Sequence, residues 1–317
     1  MKKESVLSIR QENDRMNRAV DVKQFPKEFL NIRYAPDAKE QKMDIFLPGT
    51  DGVYPVVLLV HGGGWAWGGR REECLSSVFQ IISQGYALAT MDYRRCPEYE
   101  WPAHIEDVQT AIRFLKTHGS EYQLDMTHLV VWGNSAGAHI CELAGAMSGK
   151  EPWIGKNVLY PDADNVIDGV ISMYGVSDFT LEEMRGTPLF DDDVPYETLE
   201  KASAFYYVDA HYPKILFQHG DADQMVPCGQ SVRMHDHIQG ICGPDRSTLE
   251  IFHGARHASP EFKTPENIHR CVRWLDQIYF AGREIPPRPE LPNIKLVNTD
   301  DDRADPFEQH VTNLNQQ

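Results

Sequence analysis

Apolar and polar positions alternate along Phe29-Leu30-Asn31-Ile32-Arg33-Tyr34 and Lys42-Met43-Asp44-Ile45-Phe46-Leu47. A period of two predicts strands with one face on a core, as near the edge of a sheet. Pro48 and Gly49 close the second of them. The pattern then changes. Tyr54-Pro55-Val56-Val57-Leu58-Leu59-Val60 is apolar without a break, and Tyr86-Ala87-Leu88-Ala89-Thr90-Met91 nearly so. Unbroken runs of this length predict strands covered on both faces. Leu129–Trp132, Gly169–Tyr174, Lys214–Gln218 and Thr248–Phe252 complete a set of eight.

Helical periodicity appears between the strands. Ile105, Val108, Ile112 and Leu115 line one face of a predicted helix over 104–117. Ile268, Val272, Leu275 and Ile278 line another over roughly 265–280. Covered strands alternating with helices predict an α/β fold: a mostly parallel eight-stranded sheet with helices on both faces and a small cap or none. Ligands of such sheets sit at the carboxyl ends of the strands.

Three parts follow from the pattern. Residues 1–28 form an N-terminal segment with a weak helical spacing (Val6, Ile9, Met16, Val20), a candidate flap. Residues 29–280 form the catalytic domain. Residues 281–317, with Pro286, Pro287, Pro289 and Pro292 before Asp300-Asp301-Asp302, form a proline-rich acidic tail, expected to be extended or disordered. The stretch between Tyr174 and Lys214 is acidic (Asp191-Asp192-Asp193), then aromatic (Phe205, Tyr206, Tyr207). It is too short for a large cap but could supply one wall of a pocket.

Net charge is −16 over 317 residues, which repels phosphate backbones and anionic lipid surfaces. Neither nucleic acid nor membrane is an expected partner, and no apolar run approaches the length of a membrane span. Homo-oligomerisation is compatible with the composition and not specified by it. The N-terminus lacks the apolar segment of a signal peptide. Six cysteines (74, 96, 141, 228, 242, 271) have no C-x-x-C spacing, as expected of reduced thiols in the cytoplasm. A Cys228–Cys242 bridge is geometrically conceivable.

The chemistry centres on Gly133-Asn134-Ser135-Ala136-Gly137, a G-x-S-x-G elbow between a predicted strand and a small-residue helix. Such a turn holds the serine oxygen clear of the backbone. A serine hydroxyl needs a base within reach, and the base needs a partner that fixes its tautomer. Asp221 and Asp223 follow the seventh strand; His253 and His257 follow the eighth. Asp223 is favoured because a loop must run past the strand before a side chain can reach back, which leaves Asp221 as a turn former. His257 is favoured because His253 abuts the strand and is expected to be partly committed to packing. The His253-x-x-x-His257 pair is not read as a metal site: Gly254 argues against a helix and no clear third ligand is near. No cofactor is expected. His61-Gly62-Gly63-Gly64-Trp65 follows the third strand. Bare amides of Gly63 and Gly64, with that of Ala136, form a candidate oxyanion hole. Trp65, Trp67 and Tyr174 are candidate pocket residues.

On these motifs, together with Asp92-Tyr93-Arg94, Pro97-Glu98, Trp101-Pro102-Ala103, Asp107 and Val226-Pro227, the chain resembles the α/β-hydrolase superfamily. More narrowly, it resembles the esterases with an HGGG loop: the hormone-sensitive-lipase-like group and the bacterial acetyl- and feruloyl-esterase-like enzymes. The resemblance spans roughly residues 30–280. It implies Ser135 as nucleophile, His257 as base, Asp223 as its orienter and Gly63, Gly64 and Ala136 as oxyanion donors. It also implies Asp92, Arg94 and Asp107 as a structural network behind the site. The expected activity is that of a serine carboxylesterase on short acyl or hydroxycinnamoyl (feruloyl-type) esters, its partner a small-molecule ester. An aryl-formamidase or peptidase on the same scaffold, or a non-catalytic binder of small ligands, is the alternative.

Overall fold

A computed structural model describes residues 18–150, 159–184, 186–285 and 287–298. Residues 1–17 of the candidate flap and the acidic triplet 300–302 lie outside them.

Eight strands form the central sheet: β2 (Lys27–Arg33), β3 (Lys42–Leu47), β4 (Tyr54–Val60), β5 (Ala87–Met91), β6 (Leu124–Asn134), β7 (Gly169–Met173), β8 (Lys214–Gly220) and β9 (Ser247–Phe252). Their order is β2-β3-β5-β4-β6-β7-β8-β9. The β2–β3 and β3–β5 pairs are antiparallel and the other neighbours are parallel. This is the fold class the hydrophobic pattern predicts.

Both faces are covered. Val56, Leu58 and Val60 of β4 point into one core and Val57 and Leu59 into the other; Leu129/Val131 and Val130/Trp132 of β6 divide the same way. The first core receives α1 (Ala103–His118), α2 (Ala136–Ala146) and α4 (Gly229–Cys242), while the second receives the 3₁₀ turn Val78–Gln84 and α5 (Pro265–Tyr279). Full burial of one such aliphatic side chain contributes about 1.5–3 kcal/mol. Thr264 caps α5 by accepting the Asn267 amide at 3.2 Å, with Pro265 in the first turn, and Ile268, Val272, Leu275 and Ile278 all face inward.

Two sequence expectations change. Alternation marks β3 as half exposed, yet it lies inside the sheet. Its polar position, Asp44, is fully buried and takes Arg70 at 2.8 Å and Arg71 at 2.5 Å. A buried ion pair is invisible to a pattern that equates polar with exposed. The helical spacing at the N-terminus also fails where it is described. Arg18–Val20 is a strand (β1) and Val22–Gln24 a 3₁₀ turn. β1 pairs antiparallel with β10 (Leu296–Asn298), Arg18 opposite Asn298.

Part of the proline-rich tail lies on the body. Gln84 and Gln80 donate to the carbonyls of Pro289 and Pro292 at 2.9 and 2.8 Å, and Arg288 meets Asp276 at 2.5 Å. All six cysteines are free thiols. Cys228 and Cys242 flank a 14-residue helix. At 1.5 Å per residue that separates them by about 20 Å, too far for a bridge.

Candidate active site

Ser135 stands between β6 and α2 with φ 53° and ψ −120°, a conformation L-residues adopt at a cost of order 1–3 kcal/mol. The surroundings enforce it. The Ser135 amide donates to the Met173 carbonyl at 2.9 Å, and its carbonyl accepts the His139 amide at 3.1 Å. The flanking glycines leave no room for a side chain. A Cβ on Gly133 would meet the Gly137 carbonyl at 2.3 Å, and one on Gly137 would meet the Val60 carbonyl oxygen at 2.1 Å. The small residues of the motif therefore let the elbow press onto β4.

The loops after β8 and β9 bring two more side chains to the serine. His257 Nε2 lies 2.9 Å from Ser135 Oγ, and His257 Nδ1 lies 2.7 Å from Asp223 Oδ2. A carboxylate only accepts, so Nδ1 carries the proton and Nε2 presents its lone pair to the hydroxyl. Asp223 Oδ1 accepts the amides of Met225 at 2.8 Å and Val226 at 3.0 Å. Burial pushes the Asp223 carboxyl up. Hydrogen bonds from His219 and His257 and from the Val226 amide outweigh burial and hold it well below the usual carboxylate range.

Asp221 and His253 form a separate pair at 2.8 Å, with Asp221 also accepting the Gly254 amide at 2.7 Å. The His253 side chain is 88% exposed, so the expectation that it is committed to packing is corrected. A side chain leaving an edge strand at its last turn has solvent on one side.

The glycine loop lies against the nucleophile: a Cβ on Gly62 would come within 3.2 Å of Ser135 Cβ. Gly63 and Gly64 have φ of 102° and 55°. Their amides donate to no carbonyl among the described residues. Ala136 opens α2, where first-turn amides have no partner within the helix and the dipole favours negative charge. His61 anchors the loop from behind. Its Nδ1 donates to the Gly62 carbonyl at 2.7 Å and its ring stacks on Tyr93 at 4.4 Å. The Tyr93 hydroxyl donates to the His61 carbonyl at 3.1 Å. Burial brings His61 down to about 4, so the ring is neutral at pH 7. Arg94 binds Asp107 (2.9 Å) and Glu106 (2.9 Å), while Asp92 accepts the Arg70 amide at 2.7 Å.

Of the three pocket candidates, Trp67 is half-buried, its ring over Gly64. The other two are corrected. Trp65 is 4% exposed and donates its indole N–H to His139 at 3.0 Å; Tyr174 is 2% exposed, wedged between His257 and Phe262. Both belong to the packing behind the site.

Two neighbours have roles that the motifs did not assign: His219, which opens the motif His219–Asp223, and Glu142. His219 is fully buried, its Nε2 2.9 Å from the Val226 carbonyl and 3.4 Å from Asp223 Oδ2. A carbonyl only accepts, so Nε2–H donates and Nδ1 accepts the Ser231 hydroxyl at 2.7 Å. Glu142, fully buried on α2, takes the Ser172 and Ser177 hydroxyls at 2.5 and 2.6 Å. The available signal was polarity out of place: an imidazole ending an apolar strand and a carboxylate within a run of small residues. Among the described residues no group of three or more His, Cys, Asp and Glu is placed to hold a metal.

A family model described as BD-FAE matches residues 43–238. The chain belongs to the BD-FAE family. The matched region of this BD-FAE chain contains the elbow, the glycine loop and Asp223, and stops short of His257. Esterase LipQ of Mycobacterium tuberculosis is 30% identical over 217 residues, covering 63% of this chain and 50% of that protein. The probable carboxylic ester hydrolase LipM of the same organism is 28% identical over 282 residues, covering 83% and 64%. The chain thus spans about half to two-thirds of the length of these curated relatives. A truncated carbohydrate esterase from gut microbiota superposes with a TM-score of 0.70 at 23% identity, over 80% of this chain and 96% of that one. This likeness bears on the fold.

Proposed function

We propose that this BD-FAE chain is a carboxylic ester hydrolase working through an acyl-enzyme. The observation that carries the reading is the unbroken relay from Ser135 Oγ through the His257 ring to Asp223, at 2.9 and 2.7 Å. In this reading Ser135 attacks the ester carbonyl as His257 Nε2 takes its proton. Asp223 steadies the imidazolium, and the amides of Gly63, Gly64 and Ala136 receive the oxyanion. His257 then protonates the leaving alcohol and activates the water that clears the acyl group. The relatives named as esterases support the activity. The resemblance of the HGGG loop to that of acetyl- and feruloyl-esterase-like enzymes supports short acyl or hydroxycinnamoyl substrates.

The six unpaired thiols support placement in a reducing compartment, the cytoplasm. No helix among the described residues is long and apolar enough to cross a membrane.

The test is hydrolysis of p-nitrophenyl acetate and butyrate by the wild type and Ser135→Ala. The reading expects turnover and fluorophosphonate labelling at Ser135, both lost in the variant. Equal rates for the two proteins would falsify it.

A further inference from the structure

A cavity of about 500 Å³ lies apart from the residues of the proposed relay. One wall is the loop from Cys96 to Trp101. The other is the segment Pro188–Thr198, which runs into α3 (Tyr196–Ala202). Two contacts tie its walls to the surroundings of the candidate active site. The Cys96 amide donates to the Trp65 carbonyl at 2.8 Å, immediately past the glycines. The Trp101 ring lies 6.1 Å from that of His139, whose amide binds the Ser135 carbonyl. No element of the proposed ester chemistry uses this space.

Its lining has an unusual composition. Trp101 and Phe190, 6.3 Å apart and tilted at 59°, supply aromatic surface, with Leu189 and Val194 beside them. The charged groups are Glu100, Asp191 and Asp193. No lysine, arginine, histidine, asparagine or glutamine lines the cavity among the described residues. Ionised carboxylates accept hydrogen bonds and donate none. The side-chain donors among the described lining residues are the Thr198 hydroxyl, the Trp101 indole N–H and the Cys96 thiol, so a sugar, rich in acceptors, would leave most of them facing carboxylates. A group that carries positive charge and needs apolar contact suits both features. Aromatic faces attract ammonium ions through the ring quadrupole. The net charge of −16 adds a field of the same sign.

We propose that this cavity receives an alkylammonium group carried by the ester substrate, with Trp101 and Phe190 against the cation and Glu100, Asp191 and Asp193 opposing its charge. The assignment of the ligand as part of a substrate rests on the ester-hydrolase reading; binding of the cation does not.

Choline and its uncharged isostere 3,3-dimethylbutan-1-ol are titrated into the full chain by calorimetry. The same pair is then titrated into the variant Glu100→Gln/Asp191→Asn/Asp193→Asn. The expected result is choline binding at least roughly tenfold tighter than the isostere in the wild type, in line with a cation held by aromatic and ionised groups together. That preference falls to near one in the variant. Equal binding of the two alcohols, or tighter binding of the uncharged one, overturns the inference. So does a preference that survives in the variant, since the cation would then sit elsewhere. In a second arm, acetylcholine should exceed 3,3-dimethylbutyl acetate in kcat/KM by a similar factor in the wild type. Turnover of p-nitrophenyl acetate with no such preference removes the inference and leaves the ester reading standing. Choline binding without turnover of any ester does the reverse.

Discussion

The Tyr174 ring meets the His257 imidazole edge-on, with 4.8 Å between centroids, and the Tyr174 hydroxyl takes the Asn134 side-chain amide at 3.4 Å. The aromatic edge fixes the plane in which the imidazole addresses Ser135. The hydroxyl contact is long. Tyr174→Phe should therefore retain activity close to wild type. Tyr174→Leu removes the edge and should lower kcat/KM by roughly tenfold or more, because small misplacements of a reacting group are costly. Steady-state kinetics of the two variants on one p-nitrophenyl ester separate these effects. Equal losses in both would show that the hydroxyl, not the ring, matters.

Asp223 accepts from the His257 ring and from two backbone amides. Asparagine in its place has one acceptor oxygen and an N–H₂ that favours the wrong imidazole tautomer. Asp223→Asn should lower kcat by roughly 10³–10⁴-fold with little change in KM. A loss confined to KM would remove Asp223 from the relay.

Gly63 and Gly85 both have positive φ, 102° and 87°, but differ in space. A Cβ on Gly63 would meet the Trp67 carbonyl oxygen at 2.1 Å, whereas one on Gly85 meets nothing within 4 Å. Gly63→Ala should displace the loop and cost on the order of 10²–10³ in kcat, the usual effect of losing an oxyanion donor. Gly85→Ala should cost only about 1 kcal/mol of stability, the strain of the left-handed backbone, at unchanged kcat. Comparing rates with melting midpoints distinguishes the two.

Burial pushes the Glu142 carboxyl up to about 7, against two hydroxyl donors and the charge influence of His219. The folded state thus keeps a proton that the unfolded chain releases near 4.5. Below that pH the group contributes no penalty. Between about 4.5 and 7 stability falls as pH rises, and above 7 the cost is constant. Glu142→Gln keeps partners for Ser172 and Ser177 without the ionisation. It should be more stable than wild type at pH 8, by an amount on the order of 3 kcal/mol, and the gain should vanish near pH 4. Urea unfolding of both proteins from pH 4 to 8 reads the difference. A gain that is flat with pH would assign it to packing.

Strand and helix positions were largely legible because burial on both faces writes itself as unbroken apolar runs. Ile105, Val108, Ile112 and Leu115 are all buried in α1, although its polar positions from His104 to Arg113 are buried as well. The order serine, aspartate, histidine was legible because each residue ends or follows a strand, and strand ends of one direction share an edge of the sheet. Pattern failed where polarity and burial part company. Asp44 sits in the core because two arginines follow it there, and nothing near position 44 in the chain announces them. Trp65 and Tyr174 have the residue types of a binding wall, but their place depends on His139 and Phe262, which are remote in sequence. The short β1 was lost because three residues cannot establish a period, and its partner lies 280 positions away by the Arg18–Asn298 register.

That last pairing has a topological consequence. With residue 18 in register beside residue 298, the path of the described chain between them is almost a closed ring. The fold's identity therefore resides in the cyclic order of its elements and not in where the ring is cut. A chain reopened at a surface turn such as Gly243-Pro244, with the old junction bridged by a short linker, should trace the same course.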